Sequence, residues 1–295
     1  MNIDQPGIYD LGEEAYHADP VEHGSLSASS AKYLLPPHVP ADYLWYRQNR
    51  PTSRAFDFGH AVHSVILGVG GELVTVMKAT RDKTLVPADG WTTVSAQKHA
   101  EEIRAEGGVP VLESDRAVVD AMAEKVREHP VAHALLTSGE PERSAFWCDP
   151  DTGVWRRCRY DVLPDVPEDG RLIIPDYKTT SSVAPDAFNR KVIDFGYDLQ
   201  AANYIDTAAA LLGLDDVRFV FVAQLNKPPF HVAVIEPSAR WITIGRERFA
   251  LALRTYKRCR ETGDWPAYPD PIAIAPPAWV DYAHDDLMAA TREES

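Results

Sequence analysis

Arg171–Ser182, RLIIPDYKTTSS, is the stretch whose reading decides the fold. An apolar run, Leu172 to Ile174, leads into Asp176 and Lys178, and a Thr-Thr-Ser-Ser segment follows. On a strand, successive side chains alternate faces, so Asp176 and Lys178 point one way and Tyr177 the other. A carboxylate beside an ammonium at the end of a buried strand is costly unless the pair is used or well solvated. Just upstream, Arg157–Asp165 (RCRYDVLPD) carries Asp161 at the end of a second alternating apolar stretch.

If these consecutive strands pair, Asp161 and Asp176 become neighbours, and two carboxylates repel unless a cation sits between them. Mg²⁺ suits such a place, since it takes one or two carboxylates, keeps waters and coordinates phosphate. A lysine close by would orient or help deprotonate an attacking water and stabilise charge on phosphorus. The plain alternatives are that Asp161 caps the turn at Pro164, that Lys178 is a solvated strand-end lysine, and that Thr179 and Thr180 lead into the next helix. Acids and lysine together favour the chemical reading.

Three further places could serve the same centre. Gly59 and His63 are four apart in a helical pattern, Arg54–Leu67, and share a face; His60 competes with His63. A mid-helix glycine costs about 1 kcal/mol relative to alanine, which suggests a close approach at Gly59. Gln200 and Tyr204, also four apart, either read a substrate near the acids or form a polar stripe. Glu142 is either a third acid or a surface partner of Arg143.

The 295 residues are 45% hydrophobic and 25% charged with a net charge of −14, which suits one large globular domain with appendages. No apolar run has the length of a membrane span and the start of the chain is acidic; the odd, scattered cysteines make a reducing cytoplasm the expected location. Cys148, Cys158 and Cys259 cannot supply a four-cysteine metal or iron–sulfur site. The acidic balance argues against a nonspecific nucleic-acid coat protein. Basic residues are nonetheless clustered, with Arg156, Arg157 and Arg159 near Asp161, so a locally basic cleft is compatible with the total.

Periodicity and turn signals predict an irregular segment over 1–24 and a helix over Ser25–Leu35 capped by Ser27. Further helices are expected over Pro40–Asn49, Val94–Glu106 and up to about Glu128, with a loop over 78–93. Strands over Glu142–Cys148, Val154–Leu163 and Leu172–Lys178 should form an antiparallel meander. An amphipathic helix over Asp198–Leu212, strands over Val217–Gln224 and His231–Glu236, and a long helix after Ser238 complete the core. The class is α/β (mixed α+β), a central mixed sheet flanked by helices. The main domain is expected over 25–270, followed by a tail over 271–295 that frays.

Taken jointly, FGHAVH (with Gly59 and His63), ERSAFW (from Glu142), CRYD (ending at Asp161), DYKTT (Asp176 to Thr180) and QAANY (Gln200 to Tyr204) resemble the PD-(D/E)xK nuclease superfamily. Within its RecB-like branch the likeness is to phage-type RecE (exodeoxyribonuclease VIII) nuclease domains, and it spans roughly residues 20–270. The D-x-K motif alone is weak; the ordered set is considerably stronger. Tyr160 stands where that family often has proline.

The resemblance implies a restriction-endonuclease-like core and Mg²⁺- or Mn²⁺-dependent hydrolysis of DNA from double-stranded ends, 5′→3′, for recombination in a phage or prophage setting. It implies metal binding by His63, Asp161, Asp176 and the Tyr177 carbonyl, with Lys178 as catalytic lysine. Gln200 and Tyr204 would complete the cleft, with Glu142, Thr179 and Thr180 near the substrate. Such enzymes form ring-shaped homo-oligomers, for which a tetramer is one expectation, and pass the exposed strand to a single-strand annealing protein. The rival readings are a RecB-like nuclease of other polarity and a non-catalytic DNA-end-binding module.

Overall fold

The computed structural model describes residues 2–49 and 54–293, with the backbone alone for 54–57, 60 and 291–293. Strand β1 (Gly7–Tyr9), helix α1 (Glu13–His17), β2 (Ser25–Leu26), α2 (Ala28–Ala31), a 3₁₀ turn (Lys32–Leu34), α3 (Pro40–Gln48) and α4 (Arg54–Leu67) open the chain. Then come β3 (Leu73–Thr75), β4 (Met77–Ala79), β5 (Leu85–Pro87), α5 (Val94–Ala105), β6 (Val109–Val111), α6 (Glu113–Glu128) and α7 (Pro130–Leu136). The core strands are β7 (Gly139–Cys148), β8 (Trp155–Pro164) and β9 (Arg171–Thr180). Helices α8 (Pro185–Phe195) and α9 (Tyr197–Leu212), strands β10 (Asp216–Leu225) and β11 (Val232–Ile235), and α10 (Ala239–Thr262) follow. The chain divides into a compact unit, Met1–Trp265, and a small one, Pro266–Ser295, which contains α11 (Ala278–Glu293). No described helix is long and apolar enough to cross a membrane.

The mixed α/β class holds, with two principal sheets. One has the order β1-β7-β8-β2 and the other β11-β10-β9. The hairpin β7–β8 is antiparallel, as the turn at Asp149–Gly153 predicts. The meander does not continue. Strand β9 pairs parallel with β10 from Arg171↔Asp216 to Thr180↔Leu225, and no β8–β9 ladder forms among the described residues. A strand with apolar side chains on both faces suits the interior of a helix-covered parallel pair. Leu172, Ile174 and Tyr177 are all buried there.

Helix α9 also departs from expectation. It is buried nearly all round, from Asp198 and Leu199 to Thr207 and Ala208, because sheet strands flank one side and α10 the other. Gly245 allows that approach: a Cβ there would lie 2.1 Å from the Asp198 carbonyl oxygen and 3.0 Å from the Ala202 Cβ. Helix α10 begins as predicted, with Ser238 Oγ accepting from the Trp241 N–H at 3.4 Å.

The other departures come from tertiary partners that local pattern does not show. Residues 7–9 form β1 because the outer edge of β7 is open to it, and Tyr9 and Tyr16 pack edge-on against Phe146. The segment 78–93 contributes the hairpin β4–β5, closed by Thr80 and Thr84. The Ser25–Leu35 helix is split into β2, α2 and the 3₁₀ turn, and the tail carries α11.

Candidate active site

The predicted acids meet where the two sheets abut. Strand β8 brings Asp161 to the edge of β9, and its carboxylate replaces the missing ladder: the Tyr177 backbone N–H donates to Asp161 Oδ2 at 2.6 Å. In extended chain a residue's N–H and C=O leave on the same side, so the Tyr177 carbonyl faces this seam as well. The Tyr177 ring points into the core on the other side, donating its hydroxyl to Gln224 Oε1.

On one flank of the seam, α4 carries His63. Its Nε2 lies 3.1 Å from Asp161 Oδ2 and its Nδ1 3.2 Å from Glu142 Oε1. Glu142 belongs here because β7 and β8 are in register on either side of it: Pro141 faces Val162 and Arg143 faces Tyr160, which sets Glu142 opposite Asp161. Its φ is +58°, a region costing a non-glycine residue about 1–3 kcal/mol and found preferentially at functional sites. Its carboxylate also holds the Arg159 guanidinium, so the expected alternative pair with Arg143 is not the one formed; Arg143 instead pairs with Glu140 at 3.0 Å.

On the other flank, Asp176 is fully buried, ion-pairs with Lys178 and accepts from Gln200 Nε2 at 2.6 Å. The Tyr197 ring, three residues before Gln200 on the same helical face, lies 5.4 Å from the Lys178 ammonium. Gln200 therefore fixes the Asp176 carboxylate, and Tyr197 walls in the amine.

Charge in the seam is unbalanced locally. Burial and the neighbouring Asp161 push the Asp176 carboxyl up to about 7. Burial also opposes ionisation of Asp161, but His63, Lys178 and the Tyr177 N–H outweigh it and hold that carboxyl below its usual value. Burial alone would lower His63, yet Asp161 and Glu142 raise it to about 10, so it is an imidazolium here. Lys178, buried but facing Asp176 and Asp161, is likewise held protonated.

Other expected residues have different employment. The Tyr204 hydroxyl donates to the Arg159 carbonyl at 2.6 Å, bracing β8 two residues before Asp161 and leaving the acids to Gln200. Thr180 accepts from Lys191 and donates to the Ser182 carbonyl at 3.0 Å, so it shapes a turn. Thr179 is half-buried on β9, its backbone opposite Gln224. A Cβ at Gly59 would meet nothing within 4 Å, so the close approach expected there is not seen. The His60 side chain lies outside the described residues. Arg156 and Arg157 are buried struts rather than a basic cleft: Arg157 pairs with Asp19 at 2.6 Å, and Arg156 donates to Asn203 at 2.9 Å.

Arg159 and Tyr197 were not singled out for these roles from sequence. Each had a signal: Arg159 is two before Asp161 on one strand face, and Tyr197 three before Gln200 on one helix face.

Among the described residues, no three His, Cys, Asp or Glu side chains stand as a formed metal cluster. The donors nevertheless fit a hard divalent cation. Two carboxylates and a strand carbonyl face one seam, the acids are compensated by one ammonium and one imidazolium, and the buried Asp176 Oδ2 makes no hydrogen bond beyond its ion pair. Asp161, Asp176 and the Tyr177 carbonyl would hold the ion; His63 could join them only after shedding its proton.

A family model described as a PDDEXK-like domain of unknown function (DUF3799) matches residues 29–275, and the chain belongs to that family. No curated protein matches the sequence. Among solved structures, a protein from Eubacterium rectale described as a candidate exonuclease superposes with a TM-score of 0.60 at 14% identity, covering 93% of this chain and 98% of its own. The fold is shared with that structure. A phage-related exonuclease from Haemophilus somnus matches at 16% identity over 69% of this chain and 95% of its own, with a TM-score of 0.29 that carries no weight for the fold.

Proposed function

We propose that this PDDEXK-like protein is a divalent-metal-dependent exonuclease acting on double-stranded DNA ends, with the β8–β9 seam as its catalytic centre. The observation that carries the reading is the Asp161–Tyr177–Asp176–Lys178 arrangement: two acids at one strand edge, one pushed up to about 7 by burial and by the other, beside an ammonium. A carboxylate perturbed by burial and paired with a specific charge partner is a candidate for a functional group. Membership of the PDDEXK-like family and the description of the Eubacterium rectale structure, whose fold is shared, support nuclease activity in particular.

A bound Mg²⁺ or Mn²⁺ would supply charge neutralisation at the phosphate and make water a competent nucleophile near neutral pH. The chain's own residues do the remainder. Gln200 holds Asp176 Oδ1, which leaves Oδ2 towards Lys178. Protonated Lys178 stabilises the negative charge that develops on the phosphoryl oxygens as water attacks in line and the 3′ or 5′ oxygen leaves. Glu142 and Arg159 set the orientation of His63 through charge-assisted hydrogen bonds, and Tyr204 keeps β8 in place.

The finer points of this proposal are 5′→3′ polarity, a role in recombination beside a single-strand annealing protein, a ring-shaped homo-oligomer and a cytoplasmic site of action, with 25–270 as the catalytic domain. The resemblance of the ordered motifs supports them. Linear and closed-circular duplex of one sequence, incubated with Mg²⁺ or with chelator, test the activity. Nucleotide release from the linear form alone, and only with metal, is expected; no release from either would overturn the reading, and nicking of the circle would make the protein an endonuclease. Separate 5′- and 3′-labels decide polarity.

A further inference from the structure

Helix α8 ends beside the seam, and one of its faces has no task in the chemistry described above. Phe195 is its last residue and Tyr197 the first of α9, with Gly196 between them at φ +72°, a conformation that suits glycine. That left-handed residue turns the chain so that the two rings stack, with 5.6 Å between centroids and 28° between planes. Tyr197 packs against the core, and its ring lies 5.4 Å from the Lys178 ammonium. Phe195 lies outside every core cluster and is 53% exposed. A phenyl ring with half its surface in water contributes little to folding from that place.

One turn earlier, on the same face of α8, is Lys191. Its ammonium donates to the Thr180 hydroxyl and, at 2.9 Å, to the Ser181 hydroxyl, and it pairs with no carboxylate among the described residues. Burial lowers its pKa, a cost that an incoming anion would offset. An ammonium has three N–H donors, so two hydroxyls leave one for that anion.

Both side chains adjoin the catalytic amine, by separate routes. Asp176, Lys178 and Thr180 follow one another at two-residue spacing along one face of β9, and Lys191 stands at the end of that row. Phe195 reaches the same corner through Tyr197. Successive nucleotides of a duplex strand rise about 3.4 Å, so the Phe195 ring is within about three nucleotides of a phosphate at Lys178.

We propose that Lys191 and Phe195 grip one nucleotide of the DNA strand beside the scissile phosphate, Lys191 holding its phosphate and Phe195 stacking on its base. A nucleotide is favoured over an apolar or peptide partner because an ammonium without an acid and an exposed ring, one helical turn apart, match an anion joined to a π-face. The inference rests on the reading of the seam as a DNA-cleaving centre. Its test is therefore binding in chelator, so that grip and cleavage can fail separately.

The probe is a fluorescent oligo-dT strand, compared by anisotropy with an abasic strand of equal length across a range of salt concentrations. The full chain is expected to bind oligo-dT about tenfold more tightly. Phe195→Ala and Phe195→Leu, each first shown to melt like the parent, are expected to lose most of that preference, and Phe195→Trp to keep it. Lys191→Gln is expected to weaken both strands equally and to flatten the slope of log affinity against log salt by about 0.7. Phe195→Leu keeps apolar cover on Tyr197, and Lys191→Gln keeps a donor for the two hydroxyls, so folded variants are attainable. A parent that binds both strands alike, Phe195 variants that retain the full preference, or a Lys191→Gln salt slope equal to the parent's would overturn the grip. Any of these with Mg²⁺-dependent cleavage intact would leave the nuclease reading standing; the expected binding pattern without cleavage would sink that reading alone.

Discussion

Two clusters of buried charge sit on the same strand, β8, and they behave differently. At its start, Arg156 is enclosed by Asn203 at 2.9 Å, Asp206 at 3.4 Å and Asp149 at 3.6 Å, with its guanidinium 4.6 Å from the Phe249 ring. Five residues on, Asp161 meets Asp176 at the seam, and burial together with Asp161 drives the Asp176 carboxyl up to about 7. The first cluster satisfies its cation with acids and aromatic faces. The second sets like charges against each other and restrains them with an imidazolium and an ammonium. Only the second holds electrostatic tension that a divalent cation would relieve, and that difference separates a strut from a reactive centre.

The sharpest way to break the comparison is to exchange its consequences. Lys178→Ala should lower hydrolysis of linear duplex by about 10²–10⁴-fold per folded molecule, in the range of one positioned charged group, beyond any stability lost by leaving Asp176 without its partner. Arg156→Ala should do the reverse. It leaves Asp149 and Asp206 facing an emptied site and costs about 3–5 kcal/mol of stability, read by urea unfolding, while activity per folded molecule stays within a few-fold. If Arg156→Ala silenced the enzyme at full stability, the strut reading would fail.

Asp176→Asn sharpens the account of tension. The carboxyl sits at about 7 in the folded chain and near 4 when unfolded, so ionising it opposes folding. The penalty is absent below pH 4, grows between pH 4 and 7, and is complete above. In chelator, Asp176→Asn should therefore melt higher than the parent at pH 8 and level with it at pH 4; a lower melting temperature at pH 8 would mean that the Lys178 pair outweighs the repulsion.

Smaller effects follow from the bracing residues. Tyr204→Phe strands the Arg159 carbonyl and should cost about 1–3 kcal/mol by chemical denaturation, with activity reduced less than tenfold. Gly59→Ala is the smallest. The position is helical and open, so alanine should stabilise by about 0.5–1 kcal/mol, and a loss of DNA binding at unchanged stability would instead reveal substrate passing at Gly59.

Much of the fold was legible. The core strands, the capped start of α10 and the α/β class follow from alternation, turn residues and Ser238. Asp176 and Lys178 share a face because two-residue spacing on a strand dictates it, whereas the packing of α9 brings Gln200 to Asp176. What local pattern could not give is which strands exchange hydrogen bonds. The side chain of Asp161 takes a ladder position at the Tyr177 N–H, so the expected β8–β9 pairing became a seam between sheets. The arginines of β8 looked like a cleft because sequence counts charges without their partners; Asp19 is 138 positions before its arginine, Arg157. Tyr204 shared the face of Gln200, as read, yet a difference of one helical turn sent its hydroxyl to a backbone carbonyl.

The central claim is that the seam acids, holding a divalent ion, hydrolyse phosphodiesters. Single-turnover cleavage of an end-labelled linear duplex, followed as Mg²⁺ is titrated into the parent and into Asp176→Asn, measures it most directly. A saturable Mg²⁺ dependence in the parent, with cleavage by Asp176→Asn lowered at least about 10³-fold at every metal concentration, is the predicted result. Equal cleavage by the two proteins, or cleavage by the parent that persists in chelator, would contradict it.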